Sequence, residues 1–475
     1  MQRELRHSGS PEGHANVFRR AWNHLTDWEI SPVLRGIRER RMRKAEELIG
    51  EQKWESVMKM GRAAVPALIR AFGKFGPARS MDIVWALVGI GTPAIRGLVG
   101  ALKDEDDFIR EFSAKALAEI AKKKPKYKWD KHVPALMKGL EYGVGKGARA
   151  NVATLLGEVE DARALPALIL ALKDDDTHVM TCARDALVKK GKPAIDALYA
   201  ALGNEDPEIR AHAAWAISGM KSELKIEGLE VAVPTLIGLL GDGNHEVQRN
   251  ACDALRYVGD SSAILPLYEL MMGKDSSFLE LPAGKFVELM EGGGTRAGEI
   301  VKARGIIAGA VLALEDLAKR HPDYAWEPML PGFLKLVESN DAWLQQIASG
   351  ALGSIAEGHP EYEWSDIAPK VARTLCVDRG RVGTQADKAL VKMGMVSAKP
   401  LILVMNNEHA APWAASALTE LAKKHAEDVA KEIIKAVNGK FGETLQEIST
   451  ANGMAVQNLS DILLECGKRM ENATS

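Results

Sequence analysis

Four cysteines, eleven histidines and one glycine triplet are the residues from which this chain could build catalysis or metal binding. Only His245-Glu246 forms a His–Glu pair, and it stands where a helix should start, a surface-polar position. Cys182, Cys252, Cys376 and Cys466 form no CxxC pair. Their spacing gives neither a zinc site nor a disulfide framework, so a reducing cytosol is the expected compartment. Cys182 and Cys252 fall beside a stripe of small residues and read as buried packing. Gly292-Gly293-Gly294 could cradle a phosphate, but no Lys-Ser/Thr follows and no strand precedes it. A flexible or distorted turn is the better reading. HExxH, nucleophile-elbow and Walker patterns are absent. The chain is therefore expected to be non-enzymatic, with no cofactor and no metal.

Charge offers a different chemistry. Residues 1–44 hold ten basic and five acidic side chains, a balance of +5 inside a total of −2, which leaves −7 for the remainder. Six of the ten crowd into residues 35–44: Arg35, Arg38, Arg40, Arg41, Arg43 and Lys44. Such a run could bind phosphates, an acidic partner or the chain's own acidic remainder. It could equally be a solvated helical face, with Trp22, Trp28 and Trp54 docking on the first repeat. A second basic run, KKKPKYKWDK at 122–131, interleaves aromatics as a single-strand platform would. A lysine-rich edge is the alternative. The near-neutral total removes the simplest mark of a nucleic-acid binder, a domain pI above about 9.

Repeats must position these residues. Prolines opening apolar helical patterns recur at Pro66, Pro93, Pro134, Pro166, Pro193, Pro234 and Pro266, with gaps of 27, 41 and 32 residues twice over. A 100-residue unit has been duplicated: TPAIRGLVGALKDEDDFIR from 92 aligns without a gap on KPAIDALYAALGNEDPEIR from 192. Each repeat reads as two helices. Proline suits the first helical turn, where its missing N–H costs nothing. An acidic turn then opens the second helix, where carboxylates suit the dipole. That second helix carries an apolar residue, a small one at +4, Ala at +7 and Leu or Ile at +8. Examples are Ile109-Ser113-Ala116-Leu117, Val179-Ala183-Ala186-Leu187 and Val382-Ala386-Ala389-Leu390, three of seven copies. Small residues on one stripe let neighbouring helices approach closely. Arg110 and Arg210, next to the ladder residues Ile109 and Ile209, are expected to pair with acidic turns.

Over about residues 62–437 the chain resembles the HEAT-repeat superfamily, in particular the short HEAT-like repeats of phycobilisome lyases; PALILALKDDDTHV and GNEDPEIRAHAAWAI carry the likeness. The resemblance implies an all-α fold, an α-solenoid of about ten HEAT-like hairpins. It further implies use as a protein-interaction scaffold, since each hairpin buries its apolar face only against neighbours. Two other functions come with it: nucleic-acid binding, as in HEAT-like alkylation-damage glycosylases, and tetrapyrrole lyase or maturation activity. Deoxyhypusine hydroxylases, also HEAT-repeat proteins, need several His–Glu pairs for two irons, so the single pair excludes that enzyme.

Five segments are expected: a basic arm and cap over 1–60, regular repeats over 61–272, an irregular repeat over 273–305, repeats again over 306–437, and a cap over 438–475. In the irregular repeat, EGGGTRAGE reads as about eight residues added between helices, and Gly293 and Arg296 join the candidate partner-binding residues. Pro-x-Tyr-x-Trp recurs at Pro125, Pro322 and Pro360. Its aromatics either seal the groove between repeats or face a partner. In the tail, Met454, Val456, Leu459, Ile462, Leu463 and Cys466 share a helical stripe, fit for capping the last hairpin or for binding a partner. Composition, 46% hydrophobic and 27% charged, is ordinary globular usage. No apolar run approaches the ~20 residues of a membrane helix, and the first residues are too polar for a signal peptide. A cytoplasmic, membrane-free protein with protein partners is the expectation.

Overall fold

A computed structural model describes residues 32–141, 145–273, 278–281, 283–376, 383–405, 407–438 and 453–474. Among them every regular element is helical. They divide into two compact units, Met1–Lys190 and Gly191–Ser475. In the first unit, α1 (Pro32–Gly50) and α2 (Trp54–Lys59) precede four hairpins. These are α3 (Val65–Phe72) with α4 (Pro77–Ile90), α5 (Thr92–Ala101) with α6 (Asp107–Lys123), α7 (Val133–Lys138) with α8 (Lys146–Glu158), and α9 (Leu165–Leu170) with α10 (Thr177–Lys190).

The second unit continues with α11 (Lys192–Leu202) and α12 (Pro207–Leu224), then α13 (Val233–Leu239) and α14 (His245–Val258). Next come α15 (Ile264–Met271), α16 (Ala283–Gly292) and α17 (Gly294–Arg320), followed by α18 (Leu330–Val337) with α19 (Ala342–Gly358). Last are α20 (Ala368–Thr374) with α21 (Gly383–Met393), α22 (Ala398–Val404) with α23 (Ala411–Asn438), and α24 (Gly453–Thr474). No described helix is long and apolar enough to cross a membrane.

Pro66, Pro93, Pro134, Pro166, Pro193 and Pro234 all occupy the first turn of a helix. The acidic turns act by a more local mechanism than the dipole. Asp106, Asp206 and Asp341 accept the backbone N–H two residues on, at 2.8, 3.0 and 3.0 Å. Neutral Asn244 does the same at 2.8 Å. The shared feature is the capping hydrogen bond, not the charge.

The second helices of successive hairpins pack side by side, α4–α6–α8–α10 in one unit and α12–α14–α17–α19–α21–α23 in the other. The small stripe is what brings them close. A Cβ added to Gly157 of α8 would lie 2.9 Å from both Cα and Cβ of Ala186 on α10. At Gly353 of α19 it would lie 2.7 Å from Cα and 2.9 Å from Cβ of Ala389 on α21. Ala186 and Ala389 are the +7 alanines of the repeat.

Trp129, Trp326 and Trp364 are buried, so the tryptophans of the Pro-x-Tyr-x-Trp motif close the space between hairpins rather than face a partner. Tyr362 Oη accepts the Trp326 backbone N–H at 3.2 Å, tying two successive copies together. The Trp326 and Trp364 indoles donate to the carbonyls of His321 and His359, at 3.2 and 3.0 Å. The Trp129 indole N–H is buried without an acceptor among the described residues. Trp326→Phe and Trp364→Phe should therefore each destabilise by about 1 kcal/mol more than Trp129→Phe, because only they lose an indole hydrogen bond. Urea unfolding of the three variants reads this order, and equal losses would contradict it.

The backbone break ahead of this motif occurs four times. Lys124, His321, His359 and His425 have φ/ψ of −129/60, −126/64, −131/66 and −136/45°. The fourth lies inside α23, where LAKKHAED replaces the LAKRHPDY that ends α17. Ala426 stands in the proline's place and keeps its N–H, so a helix resumes at once. Buried Val429 and Ile433 anchor the resumed helix. On α24, which packs against α23, Leu459, Ile462 and Cys466 are buried and Leu463 half-buried. Met454 and Val456 lie outside the described side chains.

The glycine-rich segment departs from its sequence reading. EGGGTRAGE adds no eight-residue loop: Gly293 alone separates α16 from α17, and α17 runs for 27 residues. Gly293 has φ +62°, a region closed to most side chains, which makes the one-residue turn possible. Burial of Ala297, Ile300 and Ala303 carries the helix through the rest of the segment.

Candidate interaction site

Helical periodicity divides the basic residues of α1 between two faces. Arg40, Arg43 and Lys44 take one. Arg40 Nε donates to the Gly36 carbonyl at 3.3 Å, and Lys44 pairs with Glu47 at 3.0 Å. Arg38 and Arg41 take the other, flanked by Ile37 and Met42. Arg35 lies on α1 with its side chain outside the described set. Trp22 and Trp28 lie outside the described residues, whereas Trp54 is half-buried at the start of α2.

Arg38 and Arg41 face a groove of about 680 Å³. Its other walls are Arg62 on the 3-10 turn Gly61–Ala63, the start of α3 at Val65 and Pro66, and Pro93, Arg96, Gly97 and Gly100 of α5. Four exposed guanidinium groups from three stretches of chain thus surround a floor of aliphatic and glycine surface. Among the described residues the lining contains no carboxylate and no aromatic ring.

None of these four arginines forms an ion pair among the described residues, whereas five others of this unit do. Arg70 pairs with Glu46 at 3.3 Å, Arg149 with Asp174 at 2.7 Å, and Arg163 with Asp161 at 2.6 Å. Arg110 and Arg184 hold Asp107 and Asp185. Like charges kept unpaired around a concavity focus a positive potential on it.

Buried and half-buried arginines serve the stack instead. Arg149 on α8 reaches Asp174 in the turn before α10. Arg210 on α12 grips Asp242 ahead of α14 at 2.8 and 3.0 Å, and Arg304 on α17 donates to Asp341 ahead of α19 at 3.1 Å. Arg110 also donates to the carbonyls of Glu105 and Asp104 in its own turn. These pairings with acidic turns are those expected of Arg110 and Arg210.

Other sequence candidates fall elsewhere. Gly293 and Arg296 belong to the second unit; Arg296 is exposed on the first turn of α17. His245, half-buried, contacts Gln248 at 3.4 Å. It borders a second groove of about 530 Å³ whose Arg249 is paired with Glu246 at 3.4 Å. No described group of three or more His, Cys, Asp and Glu gathers for a metal. Cys252 is buried, and desolvation pushes its thiol well above the usual range; Cys182 is raised for the same reason. Along residues 122–131, Trp129 is buried and half-buried Tyr127 stacks on His132, so neither ring is open to a base. Lys122 pairs with Glu119, and Lys123 sits 5.3 Å from the ring centre of exposed Trp85. This is a lysine-rich edge.

A family model described as HEAT repeats matches residues 133–218 and 195–279. The fold is a HEAT-type α-solenoid. Among solved structures, the karyopherin Kap121p bound to the extreme C-terminus of the protein phosphatase Cdc14p is similar with a TM-score of 0.52 at 16% identity, over 79% of this chain and 42% of that one. Kap121p bound to Nup53p gives 0.53 at 14% identity, over 92% and 46%. The same karyopherin bound to the SUMO protease Ulp1p gives 0.53 at 15%, over 91% and 46%. This chain spans less than half the length of those karyopherins. No curated protein matches it.

Arg62 and Arg96 are the groove residues that the sequence reading missed, and the duplication held a signal for both. In the second copy, Arg96, Gly97 and Gly100 become Asp196, Ala197 and Ala200, and Arg62 becomes Ala162. The frame is kept while the charge is lost.

Proposed function

We propose that this chain is a non-enzymatic scaffold of the cytosol that holds a protein partner on its helical hairpins. The observation that carries this reading is the arginine groove of the first unit, where four guanidinium groups without an ion pair among the described residues surround one apolar floor. The solved karyopherin structures named above are complexes with other proteins, which supports the reading by analogy of fold. The likeness itself lends the fold and not the cargo. The shorter phycobilisome-lyase-type resemblance is kept as a reading of repeat ancestry, and no tetrapyrrole chemistry is assigned from it.

Crosslinking the full-length tagged chain in its native cells, followed by mass spectrometry, tests the reading. Specific protein crosslinks to the hairpins are expected; their complete absence would overturn it. The exposed Arg40 and Arg43 of α1 favour a second reading, nucleic-acid binding. Under it, oligonucleotide affinity must fall steeply with salt and drop when both residues are neutralised.

A further inference from the structure

We infer that the groove walled by α1, the Gly61–Ala63 turn, α3 and α5 receives an acidic peptide segment with an apolar anchor, an assignment that rests on the scaffold reading above. Three independent features point to this occupant. Arg38, Arg41, Arg62 and Arg96 supply guanidinium forks that match carboxylates, with no carboxylate among the described lining residues. Between them Ile37, Met42, Val65, Pro66 and Pro93 form an aliphatic floor, and Ile37 keeps 37% of its surface exposed. A volume of about 680 Å³ lies within the range of small-ligand clefts, enough for a few side chains of an extended segment.

The lining also argues against nucleic acid. Single strands are held by stacking bases on aromatic rings beside a basic track, and this groove offers no ring. An aliphatic floor framed by arginines suits a Leu- or Ile-like side chain between Asp and Glu residues.

The duplicated unit shows that the groove is a specialisation of the first copy. With Asp196, Ala197 and Ala200 in the corresponding places, the second copy reverses one charge and adds two methyl groups. In the first copy Gly97 brings α5 close to α3, since a Cβ there would lie 2.8 Å from Val65 Cγ1. Gly100 has nothing within 4 Å of where a Cβ would stand, so it leaves the groove open. That geometry supplies two well-behaved variants. Arg96→Asp installs the residue that the repeat frame already carries at Asp196. Gly100→Leu fills the groove without touching the core.

Fluorescence anisotropy of the full chain with labelled probes tests the inference. The probes are a short Glu/Asp-rich peptide carrying one Leu, the same peptide with Leu changed to Ser, and an oligothymidine. The Leu peptide should bind best, more weakly as salt rises. Arg96→Asp and Gly100→Leu should each weaken it about tenfold or more, while Lys126→Glu on the lysine edge leaves it unchanged. Peptide affinity unaffected by both groove variants, or tighter binding of the oligothymidine, would overturn the assignment. If no peptide binds but native crosslinks still map a protein to other hairpins, this inference fails and the scaffold reading stands. Peptide binding without any protein crosslink in cells gives the reverse.

Discussion

Replacing Ala389 with Leu is expected to separate α21 from α19 and to destabilise the second unit by about 3 kcal/mol or more, at the upper end of overpacking costs. The contact there is backbone to backbone: Gly353 already presents no side chain, and a Cβ on it would lie only 2.7 Å from Ala389 Cα. No rotamer of a larger residue can escape sideways, because neither neighbouring atom is the end of a flexible chain. The helices must move apart, and that movement strips contacts from the rest of the α19–α21 interface. In a stack where each hairpin leans on its neighbours, the loss concentrates at this joint. Hydrogen exchange should therefore show faster opening of α19–α23, together with a lower urea midpoint. Ala389→Gly is the control. It removes one methyl and should cost about 1 kcal/mol from helix propensity alone. An unchanged midpoint in Ala389→Leu would refute the role assigned to the small stripe.

That stripe shows how much of the fold could be read from the chain alone. Ala at +7 with Leu or Ile at +8 has a period and a physical reason, so the helices and their close packing were legible before any coordinates. So were the first-turn prolines and the pairing of Arg210 with an acidic turn. The glycine triplet misled because composition was taken as loop, whereas Gly293 and Gly294 take positive φ only at the turn and buried Ile300 draws the rest into α17. His425 escaped notice because its motif had lost Pro, Tyr and Trp while keeping the backbone break. The groove was half legible. Arg38 and Arg41 stand out in a local charge run, but Arg62 and Arg96 come from separate elements. No local window brings those four together; only packing of α1, α3 and α5 does. The comparison of the two duplicated units carries that information, since a charge reversed inside a conserved frame marks a position released from the frame's own needs.

Arg149→Ala should be the most damaging single loss of charge in the first unit, destabilising it by about 3–5 kcal/mol. Arg149 Nε and Nη2 each meet Asp174 at 2.7 Å, and Nη2 also meets Asp175 at 2.6 Å. The Arg149 and Asp174 side chains keep only 7 and 8% of their surface exposed, whereas Asp175 keeps 59%. Donating hydrogen bonds to Asp174 raises the pKa of the Arg149 guanidinium above its ordinary value, so it remains charged throughout the working range. Asp174 also accepts the Asp176 N–H at 3.0 Å, and Asp176 in turn accepts the N–H of His178 at 3.0 Å, so the pair anchors the turn that starts α10. Truncating Arg149 would strand a desolvated carboxylate in that turn. If stranding is the cause, removing the charge should repair much of the damage. The double variant Arg149→Met/Asp174→Asn keeps the alkyl packing and an acceptor for Asp176, and should recover at least half of the loss. Exposed pairs fade with salt, but this one is shielded from it, so the deficit of Arg149→Ala should persist in high salt. Urea midpoints for the single and double variants, at low and high ionic strength, separate the two causes. A double variant no better than the single would mean that attraction between the partners, rather than the cost of leaving one behind, is what the buried bridge contributes.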